Sequence, residues 1–148
     1  MGIIMINVNI KKLDERAIIP KYATDGSGCF DIHTYDTGKV LEFNSKVFST
    51  GLSFEIPDGY VMLVFSRSGH GFKNGVRLTN CVGVIDSDFR GQLMVKLTAD
   101  AEGGLSVESG DRIAQAFIIP YPKVNFIEVE ELSGTVRGTG GFGSTGSK

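Results

Sequence analysis

Apolar and polar residues alternate with period two at several places along the chain. Ile6, Val8 and Ile10 alternate with Asn7 and Asn9; Leu52, Phe54 and Ile56 with Ser53 and Glu55; Leu93, Val95 and Leu97 with Gln92, Met94 and Lys96. A two-residue repeat puts every second side chain on one face, so each stretch is predicted to be a half-buried β-strand. Further β-rich runs are GYVMLVFS at 59–66, RIAQAFIIP at 112–120 and KVNFIEVE at 123–130, punctuated by the turn residues PDG, ESGD and PYPK. The stretch NCVGVIDSDFRGQLMVKL at 80–97 reads as strand, turn, strand: a hairpin with Asp86, Ser87, Asp88, Phe89 and Arg90 at its tip. Sustained 3.6-residue periodicity is missing, and a helix of a turn or two is predicted only within SRSGHGFKNG at 66–75. Many short strands joined by turns predict an all-β domain, a sandwich or barrel.

No repeat or interdomain linker interrupts the chain. After about Ser133 bulky apolar residues nearly vanish, which predicts one β domain over 1–132 and a flexible arm over 133–148 unless a ligand orders it. At 148 residues, 41% hydrophobic and 22% charged, the chain can bury an ordinary single-domain core. Its 15 basic and 17 acidic residues leave a net charge of −2, no footprint for a nucleic-acid polymer or an anionic membrane. The opening MGIIMINVNIKK lacks the basic and cleavage regions of a signal peptide, and no apolar run approaches the roughly 18 residues of a membrane span. Two cysteines, Cys29 and Cys81, form no disulfide framework and read as small core residues in a reducing compartment. These features predict a soluble, cytoplasmic protein.

Candidate chemistry gathers in a few stretches. SRSGHG at 66–71 puts Arg67 and Ser68 ahead of Gly69, a combination suited to phosphate oxygens through guanidinium, hydroxyl and backbone N–H. SGDRIAQAF at 109–117 carries Gln115 as the odd polar residue of an apolar run, where burial demands a partner. The arm VRGTGGFGSTGSK is not a Walker motif, because its Ser147 and Lys148 stand in the wrong order and no helix follows. Its glycines, Arg137, Ser144 and Thr145 nonetheless suit phosphate, and Phe142 is a lone ring that needs a flat surface to land on. Cys29, His33, His70 and Cys81 lack zinc-site spacing, and no Gly-x-Ser-x-Gly elbow supports a hydrolase triad. His70 reads as a turn residue.

Five stretches in order, GCFDIHT, SRSGHG, NCVGVIDSDFRG, GDRIAQ and RGTGGFGSTG, together resemble the motifs of the trimeric all-β dUTPases over nearly the whole chain. The resemblance implies a distorted jelly-roll-like subunit, a homotrimer whose arm is donated between subunits, Mg²⁺ as cofactor, and hydrolysis of dUTP to dUMP and pyrophosphate. It implies Asp86 as the carboxylate that activates water, and Asp31 as a metal contact through water. Phosphates fall to Arg67, Ser68, Gly69, Gln115, Arg137, Ser144 and Thr145. Uracil and deoxyribose fall to Asn80, Gly83, Val84, Ile85, Phe89 and Phe142. Three positions depart from the family pattern: Phe89 replaces a usual tyrosine, His70 a leucine, and Ser66 a proline or alanine. A dCTP deaminase of related fold and a non-catalytic nucleotide binder are the alternative readings; the intact Asp86, Arg67 and Arg137 and the glycine-phenylalanine arm favour dUTP hydrolysis.

Overall fold

A computed structural model describes residue 2 and residues 4–147. The predicted limits of domain and arm at Met1 and Lys148, and Ile3 of the opening strand, lie outside the described residues. Among the described residues there are eleven strands and one short helix. In order these are β1 (Asn9–Lys12), β2 (Phe30–His33), β3 (Gly38–Val40), β4 (Ser45–Ser49), β5 (Leu52–Glu55), β6 (Tyr60–Phe65), α1 (Ser68–Asn74), β7 (Val76–Leu78), β8 (Val82–Ile85), β9 (Met94–Ala99), β10 (Leu105–Val107) and β11 (Arg112–Pro120). They pair antiparallel into a four-stranded sheet β2-β11-β6-β8, a three-stranded sheet β4-β9-β7, and the pairs β1-β5 and β3-β10. The sheets do not close into a barrel. Among the described residues no helix is long and apolar enough to cross a membrane.

Alternation drives this arrangement. On β9, Val95 and Leu97 are buried while Met94 and Lys96 are exposed; on β6, Met62 and Val64 turn inward between half-buried neighbours. One apolar cluster joins Met62, Val64, Ile32 and Ala116 of the four-stranded sheet with Phe48, Val76, Val95 and Leu97 of the three-stranded one. The opposite face of the four-stranded sheet is apolar too. Val61, Leu63 and Phe65 of β6, Phe117 and Ile119 of β11, and Val82 and Val84 of β8 share it by register. Phe65 and Phe117 stack there at 5.1 Å, yet Val84 remains 61% exposed.

Several expectations need correction. β8 and β9 are both strands, but they belong to different sheets, so residues 86–93 cross between layers instead of closing a hairpin. Spacing alone cannot distinguish a tight turn from a crossover of similar length. The opening strand keeps its phase, with Ile6, Val8 and Ile10 half-buried, but pairs only from Asn9 onward. KVNFIEVE forms no strand: everything from Tyr121 to Thr139 is exposed, Phe126 at 90%. Its alternation calls for an apolar face and a strand edge that this single chain does not lend it. Cys29 is half-buried and Cys81 exposed, not core, and Cys81 adopts a left-handed φ of 64° in the turn before β8. His70 lies within α1, not in a turn.

Candidate active site

Antiparallel pairing brings the first group of predicted residues together at one end of the four-stranded sheet. Gln115 of β11 stands opposite Phe65 of β6 on one side and Asp31 of β2 on the other. Its side-chain amide donates to Ser66 O at 3.0 Å, which supplies the partner that a half-buried glutamine requires. Ser66 also accepts the Leu78 N–H on its hydroxyl at 2.9 Å, tying the end of β6 to β7. Arg67 then leaves the strand in extended conformation as the N-cap of α1 and donates to Arg112 O at 3.3 Å. Asp31, whose side chain is 16% exposed, lies 3.4 Å from the Arg112 guanidinium. Ser68 is exposed and Gly69 half-buried. A Cβ on Gly69 would meet nothing within 4 Å, so its backbone is open to an approaching ligand.

A second group lies along β8. The left-handed Cys81 turns the chain so that Val82 N–H donates to Asn80 O at 2.7 Å, and Asn80 is exposed. Gly83 is buried: a Cβ there would sit 3.2 Å from the Val64 Cβ and 3.8 Å from the Asn80 amide nitrogen. Asn80, Gly83, Val84 and Ile85 line an open cleft of about 370 Å³ together with Leu93 to Lys96. That volume falls in the range of small-molecule sites. Asp86 follows at the exposed end of β8, where its carbonyl accepts the Phe89 N–H at 3.2 Å. The Phe89 ring lies over Gly91, whose hypothetical Cβ would stand 2.6 Å from it.

The arm is a third group. Turns organise it locally, with Gly140 N–H donating to Arg137 O and Ser144 N–H to Gly141 O at 3.2 and 3.0 Å, and Arg137 Nε to Gly140 O at 2.8 Å. Among the described residues every hydrogen bond of 135–147 stays within that segment, and the Phe142 ring is fully exposed. Ser144 and Thr145 are exposed as well.

Within one chain the second group starts beside the first, with Val82 opposite Phe65, and runs away from it towards Asp86. Ile85 pairs with Met62, so Asp86 sits near the level of Val61, five residues along β6 from Ser66. At about 3.3 Å per residue that is ~17 Å, beyond the reach of an aspartate. Asp31, Arg67, Ser68, Gly69 and Gln115 therefore form one cluster bordered by the start of β8, Asp86 and Phe89 stand apart from it at the far end of that strand, and Arg137, Phe142, Ser144 and Thr145 are a third group.

Two supporting residues escaped the sequence reading. Arg77 of β7 is held by Asp100 at 2.6 Å and donates to the carbonyls of Leu78 and Thr79, both at 3.1 Å, fixing the turn that carries Asn80. A lone arginine between buried Val76 and Leu78 was the available signal. Arg112, at the start of β11, links Asp31 to Arg67; its place beside Asp111 in a turn gave no hint of either contact. Among the described residues no three His, Cys, Asp or Glu side chains converge into a metal cage. A single well-placed carboxylate, Asp31, suits Mg²⁺, which keeps its waters and is typically held by one or two carboxylates together with substrate phosphates.

Comparison with known proteins matches residues 15–146 to the dUTPase family model. The deoxyuridine 5'-triphosphate nucleotidohydrolase of Nautilia profundicola is 43% identical over 141 residues, covering 95% of this chain and 99% of the relative. Among solved structures, the Staphylococcus bacteriophage 80alpha dUTPase with dUPNHPP superposes with a TM-score of 0.87 at 28% identity, covering 95% of this chain and 98% of that one. The phage phi11 dUTPase, in a mutant form described as coordinating a structural Mg(II) ion, has a TM-score of 0.78 at 24% identity over 84% of this chain and 97% of its own, and so bears on the fold alone. The match spans all three groups of site residues and both major sheets: this chain belongs to the dUTPase family.

Proposed function

We propose that this member of the dUTPase family hydrolyses dUTP to dUMP and pyrophosphate at a site assembled from three copies of the chain. The observation that carries the reading is the gathering of Asp31, Arg67 and Gln115 at one end of a sheet whose next strand, β8, bears a cleft lined by Asn80, Gly83, Val84 and Ile85. The class of activity, a dUTP diphosphatase, comes with the family. Arg67, Ser68, the Gly69 N–H and Gln115 hold phosphate oxygens. Asn80 and the backbone of Gly83, Val84 and Ile85 pair with the uracil edge, and Phe89 packs on the deoxyribose. The Asp86 carboxylate accepts a proton from a water aligned for attack on the α-phosphorus, and pyrophosphate departs on the opposite side. Positioning supplies most of the rate, because the reacting atoms are fixed and the donors preorganised. Mg²⁺, if bound, would neutralise charge on the triphosphate, and Asp31 is the carboxylate that would help hold it. The arm closes over the nucleotide, Phe142 on the base and Arg137, Ser144 and Thr145 on the phosphates.

Assembly from copies is supported by what one chain leaves uncovered. The outer face of the four-stranded sheet carries Val61, Leu63, Phe65, Phe117, Val82 and Val84, and the strandless segment 121–132 exposes Val124, Phe126, Ile127 and Leu132. A second copy of the chain covers such surface at a favourable ~25 cal/mol per Å². It also closes the ~17 Å gap, because Asp86 of one copy then meets Arg67 and Gln115 of another. The enzyme is a soluble intracellular homotrimer in this reading, limiting uracil in DNA and supplying dUMP for thymidylate synthesis.

The test is pyrophosphate release from dUTP, dCTP, dTTP and UTP, with and without Mg²⁺. Selective release from dUTP that depends on Mg²⁺ is expected. Ammonia released from dCTP would replace the reading with deamination, and binding of dUTP without turnover would leave a nucleotide binder.

A further inference from the structure

The turn that carries Asp86 and Phe89 leaves β8 with little to fasten it. Phe89 N–H closes it on Asp86 O at 3.2 Å. The rest comes from one side chain: Arg90 Nη1 donates to Ser87 O at 2.5 Å and to Phe89 O at 3.3 Å. No other hydrogen bond among the described residues reaches Ser87, Asp88 or Phe89. The chain from Arg90 onward is anchored differently. Ser53 Oγ, on a residue only 8% exposed, donates to Arg90 O at 2.5 Å, Gly51 N–H to Gln92 Oε1 at 2.8 Å, and Leu93 N–H to Leu52 O at 2.8 Å. Residues 90–93 are thus pinned to β5, and the Arg90 side chain reaches back from that pinned segment to the turn before it. Its Nη2 lies 3.7 Å from Glu55 Oε1, and Glu55 Oε2 accepts Asn9 Nδ2 at 2.6 Å across the β1-β5 pair.

We propose that Arg90 is a positioning residue for the reaction: it fixes the Asp86 carboxylate and the Phe89 ring through the carbonyls of their turn, is aimed there by Glu55, and touches no substrate itself. The inference rests on the reading of Asp86 as the base and Phe89 as the sugar contact. A guanidinium suits the task, because charge-assisted bonds to two carbonyls restrain a turn more firmly than neutral ones. The ion pair with Glu55 is exposed and weak by itself; its effect is to hold the side chain in place. A base misplaced by about 1 Å loses much of its rate, while contacts made elsewhere persist. Loosening this turn therefore lowers turnover and sugar selection. Affinity for the nucleotide stays, since it belongs to Arg67, Gln115 and Asn80.

Arg90→Ala tests the inference, with Arg90→Lys as the conservative variant that keeps one charged donor for Ser87 O. In pyrophosphate release, the alanine variant should show kcat about tenfold lower, the dUTP to UTP preference about threefold lower, and KM within about twofold of wild type. The lysine variant should recover kcat to within about threefold of wild type. Calorimetry with a non-hydrolysable imido analogue of dUTP should find affinity changed by less than about twofold, and the thermal midpoint should move by less than about 2 °C, so that lost rate is not lost fold. Glu55→Ala should lower kcat about twofold in an otherwise wild-type chain and leave it unchanged beside Arg90→Ala, because its effect passes through the guanidinium. Hydrogen exchange reads the turn without any activity: the Phe89 N–H should exchange faster in Arg90→Ala than in wild type. An unchanged kcat, an unchanged Phe89 exchange rate, a loss in analogue affinity instead of kcat, or a Glu55→Ala effect that persists beside Arg90→Ala would each overturn the inference. Wild type without turnover, or Asp86→Asn with full turnover, would instead overturn the reading beneath it, and the exchange rate would still decide whether Arg90 holds the turn.

Discussion

Asp86 follows β8, exposed and in a turn closed by the Phe89 N–H on its main-chain carbonyl, so its backbone is fixed while its carboxylate is open to water. Asp86→Asn removes the proton acceptor and keeps the shape. Turnover should fall by about 10² or more while the imido analogue binds nearly as before, measured by pyrophosphate release beside calorimetry. Full activity in that variant would exclude Asp86 as the base. Phe89 is fixed differently, by a ring laid over Gly91 where no side chain could stand. Phe89→Ala opens space beside the sugar, and the dUTP to UTP preference should drop about tenfold, the scale of a methylene-sized steric change, whereas Phe89→Tyr should change it little. An unaltered ratio in the alanine variant would move sugar choice elsewhere. The roles proposed for Asp86 and Phe89 come from the resemblance of the five motifs, since an exposed turn with Asp, Ser and Phe has by itself an ordinary reading as a turn. Gln115 announced itself as a polar residue in an apolar strand. Arg77 did not, because its contribution is to hold carbonyls of a neighbouring turn, a relation that no local spacing encodes.

At the scale of elements, alternation and β-rich runs located β1, β5, β6, β8, β9 and β11, but not β2, β3, β4, β7 and β10, each only three to five residues long and too short for a two-residue period to stand out. Alternation failed where the partner is not local. β8 and β9 have hairpin spacing but enter different sheets, and 123–130 alternates without a face to pack on. The small sheet β3-β10 offers a test of what does hold locally. Gly104 precedes β10 with φ of 60°, and a Cβ there would overlap the Val40 carbonyl oxygen. Gly104→Ala combines a left-handed alanine with a clash against β3, a cost of roughly 2 kcal/mol or more. The thermal midpoint should fall by about 5 °C or more, with pyrophosphate release at 25 °C retained. A midpoint within one degree of wild type would mean that the turn rearranges without loss.

For the whole molecule, the central claim is that no single chain contains the complete site. The clusters around Arg67 and Asp86 stand ~17 Å apart along β6, and the arm bonds only to itself among the described residues. The five motifs could be read in order from the sequence, and their resemblance implied an arm donated between subunits; whether Arg67 and Asp86 of a working site come from one copy or two is not carried by a linear order. Mixed assemblies measure that division. One partner lacks residues 137–148 and the other is full-length Asp86→Asn, and each alone should be nearly inactive, the deletion through loss of phosphate contacts worth on the order of a hundred- to a thousandfold. Co-assembled, they should recover dUTP hydrolysis at sites that join an intact Asp86 of one copy to an arm donated by another. No recovery in trimers verified to contain both chains would contradict the shared site.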